Sequence, residues 1–121
     1  MIKLIRDAGI DVPIIAFPRG CGLNIHNFIK ALDFEGLAIG TDTSISDMRA
    51  IVGPDKCLQG NLDPLALRIG GDVLRQAVSR ILEDINGPHI FNLGHGVTPD
   101  VKIKNVEAVI SHIRTGHGDY V

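Results

Sequence analysis

Within these 121 residues, the side chains suited to acid–base or ligand work are five histidines, two cysteines and several aspartates that follow short apolar runs. His95 is the most unusual of them. It stands between Gly94 and Gly96, where the apolar run "HIFNLG" stops. Small neighbours leave an imidazole unshielded and let a large ligand approach the backbone. The competing reading is a turn histidine that steadies Pro99 and Asp100. A second constellation, "LQGNLDP" over 58–64, sets Gly60 and Asn61 ahead of Asp63 and Pro64. Gly60 and Asn61 are candidates for the floor of a site through their backbone groups. Asp63 and Pro64 also fit the N-cap and first position of a helix, so a purely structural role for Asp63 stands beside any chemical one.

Metal and nucleotide chemistry fit less well. Cys21, Cys57, His26, His89, His95, His112 and His117 do not have the spacing of a compact zinc site. His26 and His112 fall within helical patterns and His117 lies in the tail. "GCG" at 20–22 lacks the third glycine of a dinucleotide fingerprint, and Asp42 is only roughly placed as its acidic partner. A loop that needs positive φ accounts for those glycines. Neither a metal nor a cofactor is expected.

The elements that must hold these residues alternate four times. Short apolar strands are predicted at 12–17, 36–42, 56–61 and 89–94. Helices are predicted at 24–34 and 44–53, the latter between an N-cap at Ser44 and a stop at Gly53. In 71–86, Val73, Leu74, Ala77, Val78, Ile81, Leu82 and Ile85 form an unbroken apolar stripe at helical spacing. A last helix runs over 102–116 on Ile103, Val106, Ile110 and Ile113. Residues 117–121 are expected to fray. Strands that alternate with helices pair in parallel through right-handed crossovers. Their uniformly apolar character predicts cover on both faces. The fold class is therefore α/β. It is either an open doubly wound sheet or four consecutive βα units forming about half of a TIM (β/α)8 barrel, which takes about 250 residues when whole. In both, ligands bind at the C-terminal strand ends, where Arg19 and Gly20, Asp42 and Thr43, Asn61 and Asp63, and His95 and Gly96 all fall.

Composition narrows the setting. Hydrophobic residues make up 45% of the chain and charged residues 21%, enough for a core. A net charge of −2 and an aromatic content of 4%, with no Trp, give no case for nucleic acid or an anionic membrane. No apolar run approaches the roughly 18 residues of a membrane span. Two cysteines without a framework and an N-terminus without a signal h-region predict a reduced, cytoplasmic setting.

Taken together, "LQGNLDPLAL" and "FNLGHGVTPDVKIKNVEAVI" resemble the uroporphyrinogen decarboxylase family. "VPIIAFPRG" looks like that family's strand ending in a Phe-x-Lys-Gly loop, and "LAIGTDTS" like its strand leading to a Gly-x-Asp turn. The resemblance covers about residues 1 to 116 and corresponds to the C-terminal third of the family's chain. It implies a single (β/α)8 barrel, usually a homodimer, with a deep cleft at the strand C-termini. It implies removal of carbon dioxide from the four acetate side chains of uroporphyrinogen III, giving coproporphyrinogen III in haem biosynthesis, with no cofactor or metal. His95 matches the family's cleft histidine, and the backbones of Gly60, Asn61, Gly94 and Gly96 would line the wall for the porphyrinogen. Arg19 stands where the family often has Lys and keeps the charge. Thr43 stands where many members have Trp, so Asp42 is left out of the catalytic set. Corrinoid-linked methyltransferases share the barrel but bind zinc through a His-x-Cys pair and a later Cys, which this chain lacks.

Four units where a barrel needs eight lead to the expectation of a C-terminal fragment over 1–116, whose partner is the missing N-terminal half. That half would carry the family's arginine motif and central aspartate. The fragment is accordingly expected to be inactive alone. The alternative is a non-catalytic remnant that binds tetrapyrrole or assembles with partners.

Overall fold

The computed structural model describes residues 1–120. Their order is α1 (Ile2–Asp7), β1 (Ile15–Ala16), a 3-10 turn (Gly22–Asn24), α2 (Ile25–Ala31), β2 (Gly36–Ala38) and α3 (Ile45–Val52). Then follow β3 (Cys57–Leu62), α4 (Pro64–Ile69), α5 (Gly71–Asp84), β4 (His89–Leu93) and α6 (Ile103–Thr115). The four strands form one parallel sheet in the order β1-β2-β3-β4. Sequential parallel neighbours joined by helices are the repeating unit of a (β/α)8 barrel, and this sheet is about half of one.

Local chemistry explains most boundaries. The Ser44 hydroxyl accepts from the Asp47 N–H and starts α3. The Asp63 carboxylate accepts from the Leu65 N–H at 2.8 Å, with Pro64 in the first turn of α4. Asp63 is thus the helix cap that its position before Pro64 implied. The stripe on α5 buries Leu74 and Val78 completely, and a fully buried aliphatic side chain of this size contributes about 1.5–3 kcal/mol.

Three features depart from expectation. No helix is predicted at 2–7, where α1 forms. Its Arg6 reaches forward to the Glu35 carboxylate at 2.7 Å and to the Val12 carbonyl at 2.8 Å. The helical region after β3 is two helices, broken at Gly70. Residues 117–120 fold back on α6: the Tyr120 hydroxyl lies 2.6 Å from His112 Nδ1, and Ser111 donates to the His117 carbonyl at 2.9 Å. Val121, part of the expected frayed tail, lies outside the described residues.

The helices pack on one face of the sheet, and their apolar side chains form two clusters. Phe34, Leu37, Ile39, Ile45, Met48 and Leu58 anchor the first. Leu62, Leu67, Leu74, Val78 and Val109 anchor the second. The other face is open: Ile15 is 45% exposed and Ile90 43%. Cover on both faces was the expectation from uniformly apolar strands. An open inner face is instead what half a barrel shows, because in a whole barrel those residues pack against strands from the opposite wall.

At the N-terminal end of the sheet, the Arg49 guanidinium of α3 is 8% exposed. It donates to the carbonyls of Gly53 at 3.1 Å, Pro88 at 2.7 Å and Lys56. One side chain thereby ties the entry of β3 to the entry of β4.

Candidate functional site

At the opposite end, the chain leaving each strand turns over the sheet. β1 runs into Phe17, Pro18 and Arg19, β2 into Ile39, Gly40 and Asp42, and β4 into Gly94 and His95. These segments enclose a cleft of about 320 Å³ lined by Phe17, Arg19, Cys21, Gly40, Asp42, Thr43 and His95, among others. That volume is at the lower end for small-molecule sites. Its chemistry is mixed. Arg19 supplies a guanidinium with no ion pair among the described residues, Asp42 a carboxylate and His95 an imidazole.

His95 is half-buried. Its ring is tilted at 44° to Phe17 with centroids 6.5 Å apart, so an aromatic face and an imidazole flank the mouth. The same ring lies over Gly40. A Cβ built there would stand 3.3 Å from His95 Cε1, 3.5 Å from Nε2 and 2.7 Å from Asp42 Oδ1. Gly40 is therefore the point over which the His95 ring and the Asp42 carboxylate both lie.

The two glycines beside His95 differ. Gly94 is buried, and a Cβ there would lie 2.7 Å from both Thr41 N and Thr41 Cγ2. Its lack of a side chain lets the loop after β2 cross directly over β4. Gly96 is exposed, and a Cβ there would touch nothing within 4 Å.

Gly60 and Asn61 lie one strand further in and do not reach the cleft surface. Gly60 adopts φ +135°, and a Cβ would sit 2.8 Å from the Ile39 carbonyl oxygen, so only glycine fits between β3 and the end of β2. The Asn61 side-chain amide donates to the Gly40 carbonyl at 3.0 Å and to the Thr43 carbonyl. Of the five candidates, the structure therefore brings His95 to the cleft, sets Gly94, Gly60 and Asn61 behind it and leaves Gly96 on open surface. Phe17 and Cys21 line the cleft although neither was named as a substrate-binding candidate from the sequence. A place directly after a strand's C-terminal end is the one signal that could have found Phe17.

Among the described residues, no group of three or more His, Cys, Asp or Glu side chains is placed to hold a metal ion. Cys21 and Cys57 are free thiols. No helix of the described residues is long and apolar enough to cross a membrane. Beside β4 runs a second concavity, an apolar groove of about 330 Å³ lined mainly by Leu62, Phe91, Val97, Val106, Ile110 and Ile113.

Comparison with known proteins decides the family. The family model described as Uroporphyrinogen decarboxylase (URO-D) matches residues 1–116. The chain belongs to the uroporphyrinogen decarboxylase family. A uroporphyrinogen decarboxylase of Caulobacter vibrioides is 43% identical over 114 residues, which are 93% of this chain and 32% of that protein. One from Maricaulis maris is 41% identical over 115 residues, 94% of this chain and 33% of that protein. One from Jannaschia sp. is 44% identical over 118 residues, 95% and 34% of the two chains. The chain thus spans about a third of the length of the curated relatives it matches. Within the uroporphyrinogen decarboxylase family, the segments that enclose the cleft, 17–22, 37–43 and His95, all fall inside the matched region.

Proposed function

We propose that this chain supplies one wall of a uroporphyrinogen decarboxylase active site, and that His95 hydrogen-bonds a substrate side chain there. The observation that carries the reading is the convergence of His95, Arg19 and Asp42 on one cleft at the strand C-termini of a family member.

The reaction asks for little beyond such a wall. Protonation of a pyrrole ring carbon makes the ring a cationic electron sink. The bond from the acetate methylene to its carboxylate then breaks, carbon dioxide leaves and the electron pair passes into the ring. A proton delivered to the exocyclic carbon completes the methyl group, and the ring proton is returned. No metal or cofactor is needed for that electron flow. Arg19 provides charge for a carboxylate at the rim, and His95 a ring nitrogen for a hydrogen bond beside it. Asp42 faces the same space and supports the ring cation or a pyrrole N–H. Gly94, Gly60 and Asn61 set the shape of the wall, and Gly96 leaves its outer edge clear for the porphyrinogen.

The remaining wall comes from four further βα units outside residues 1–121, in the same chain or another. They would pair with the free edges of β1 and β4 and cover the apolar groove along α6. The complete enzyme then works in the cytoplasm as the homodimer the resemblance implies.

The test is co-expression of this chain with the N-terminal two thirds of the Caulobacter vibrioides relative. Coproporphyrin formed from uroporphyrinogen is followed by fluorescence after oxidation. Turnover by the pair, absent from this chain alone and partly lost on His95→Ala, is the expected result. No turnover by the pair, together with no uroporphyrin binding by this chain, would overturn the reading in favour of a non-catalytic remnant.

A further inference from the structure

The turn over residues 40–43 is weakly held by its own bonds. Its one internal backbone bond, Thr43 N–H to the Gly40 carbonyl, is long at 3.3 Å. Thr43 Oγ1 reaches Asp42 Oδ1 only at 3.4 Å. Yet this turn carries Asp42, and its first residue lies beneath the His95 ring. What holds it comes from the next strand. The Asn61 amide nitrogen donates to the carbonyls at both ends of the turn, those of Gly40 and Thr43. Asn61 is itself fixed between β2 and β4, since its register partner on β4 is Asn92 and the Gly94 N–H bonds to the Leu62 carbonyl at 2.9 Å. Each of the amide's two hydrogens thus has a carbonyl, and none is left to face a ligand.

We propose that Asn61 is a positioning residue. It fixes the turn 40–43 and so sets where the Asp42 carboxylate and, through Gly40, the His95 imidazole stand in the cleft. It does not touch the ligand. This replaces the expectation that Asn61 binds substrate, and it rests on the reading of this cleft as the porphyrinogen wall.

The isosteric change Asn61→Asp tests it. It removes both donors and sets an anion against two carbonyl oxygens. The comparison variant is Val78→Ala, a core truncation on α5 that lowers stability without touching the turn. Nuclear magnetic resonance of the full chain reads the His95 ring signals and the Thr41 and Asp42 amides, and uroporphyrin titration by fluorescence reads binding. In Asn61→Asp, signals of residues 40–43 and His95 shift while those of His112 and Tyr120 stay, and uroporphyrin binds roughly tenfold more weakly. Val78→Ala leaves the cleft signals and the affinity unchanged. Asn61→Gln keeps the amide on a longer arm and recovers part of the loss. If Asn61→Asp does not fold, Asn61→Ser is read in its place. Unmoved His95 and Asp42 signals in the altered chain would overturn the proposal, as would an equal change in Val78→Ala. Failure of the unaltered chain to bind uroporphyrin would sink the ligand reading alone, because the shifts still report on Asn61.

Discussion

The two ends of the sheet are fastened by the same device with different charge. At the N-terminal end, the Arg49 guanidinium donates to carbonyls from the α3–β3 connection and from Pro88. At the C-terminal end, the Asn61 amide donates to carbonyls on both sides of the 40–43 turn. Both tie a loop to a neighbouring strand through main-chain acceptors. Arg49 brings a buried cation with no carboxylate partner among the described residues, where carbonyl dipoles hold it. Such a group is costly to leave half-satisfied, and its end of the sheet carries none of the cleft-lining segments. Asn61 brings no charge, so the field inside the cleft is left to Arg19, Asp42 and His95. A fastening that serves stability can be ionic. One that stands behind a ligand cleft is better neutral.

The largest test of that contrast is Arg49→Ala. Several part-buried carbonyls lose their donor together and the space beside Gly87 is emptied. A loss of about 3 kcal/mol is expected in urea unfolding, since each buried acceptor left unpaired costs about 1–3 kcal/mol and some regain water. Arg49→Lys recovers only part of this, because a single ammonium cannot span the α3–β3 carbonyls and Pro88 at once. Uroporphyrin affinity per folded molecule stays unchanged. A loss under about 1 kcal/mol would remove Arg49 from its fastening role.

The cleft end is broken by a smaller change. Gly94→Ala places a methyl group 2.7 Å from Thr41 N and Cγ2, where real contacts do not go, so the turn must move. Overpacking of this kind costs about 1–3 kcal/mol, and here it displaces the same turn that Asn61 holds. Gly96→Ala meets nothing within 4 Å and is expected to leave stability unchanged. Thermal unfolding and uroporphyrin titration of the two variants side by side separate the positions. Equal effects would mean that the asymmetry around His95 is not real.

That asymmetry marks the limit of what the sequence discloses. In "NLGHG" the glycines are symmetric about His95, and only the crossing of the β2 loop over β4 makes one indispensable and the other free. The strand and helix order after α1 was legible because β4, α5 and α6 keep clean apolar patterns. So was the capping of α3 by Ser44 and of α4 by Asp63, since both act within three residues of themselves. The convergence of the strand ends on one cleft was legible from the strand ends alone, and His95 lines that cleft. Arg49 was not legible: within "SDMRAIVG" it reads as a surface arginine, and its acceptor at Pro88 lies 39 residues away. Asn61 was placed at the site floor from its sequence neighbours. Its side-chain direction is fixed by Gly40 and Thr43, about 20 residues upstream, and nothing in "QGNLD" encodes that. Long-range polar ties to main-chain carbonyls leave no periodic trace.

The smallest expected effect concerns pH and again falls on the Arg49 end. His89 opens β4, with its Nε2 buried and unpartnered. Burial holds its pKa below the ordinary 6.5, and the nearby Arg49 charge lowers it further, while its bond to the Gly60 carbonyl acts the other way. The sign follows from which state takes the proton first. Well above pH 6.5 the ring is neutral in both the folded and unfolded chain and contributes no pH dependence. As pH falls below that value, the unfolded chain binds a proton that the folded chain resists, so stability declines toward the lower folded pKa. His89→Gln removes this component of the slope and leaves the acid loss tied to Glu35, which falls below that group's ordinary 4.5. The Glu35 carboxylate is held ionised mainly by the Ile14 N–H at 2.6 Å and then by Arg6. Urea midpoints taken from pH 8 down to pH 5 read the difference. In Arg49→Lys the His89 component should persist, because a cation remains nearby. In Arg49→Ala it should shrink without vanishing, because burial is the larger cause. A slope unchanged by His89→Gln would show that the proton enters elsewhere and that His89 is indifferent to the cation beside it.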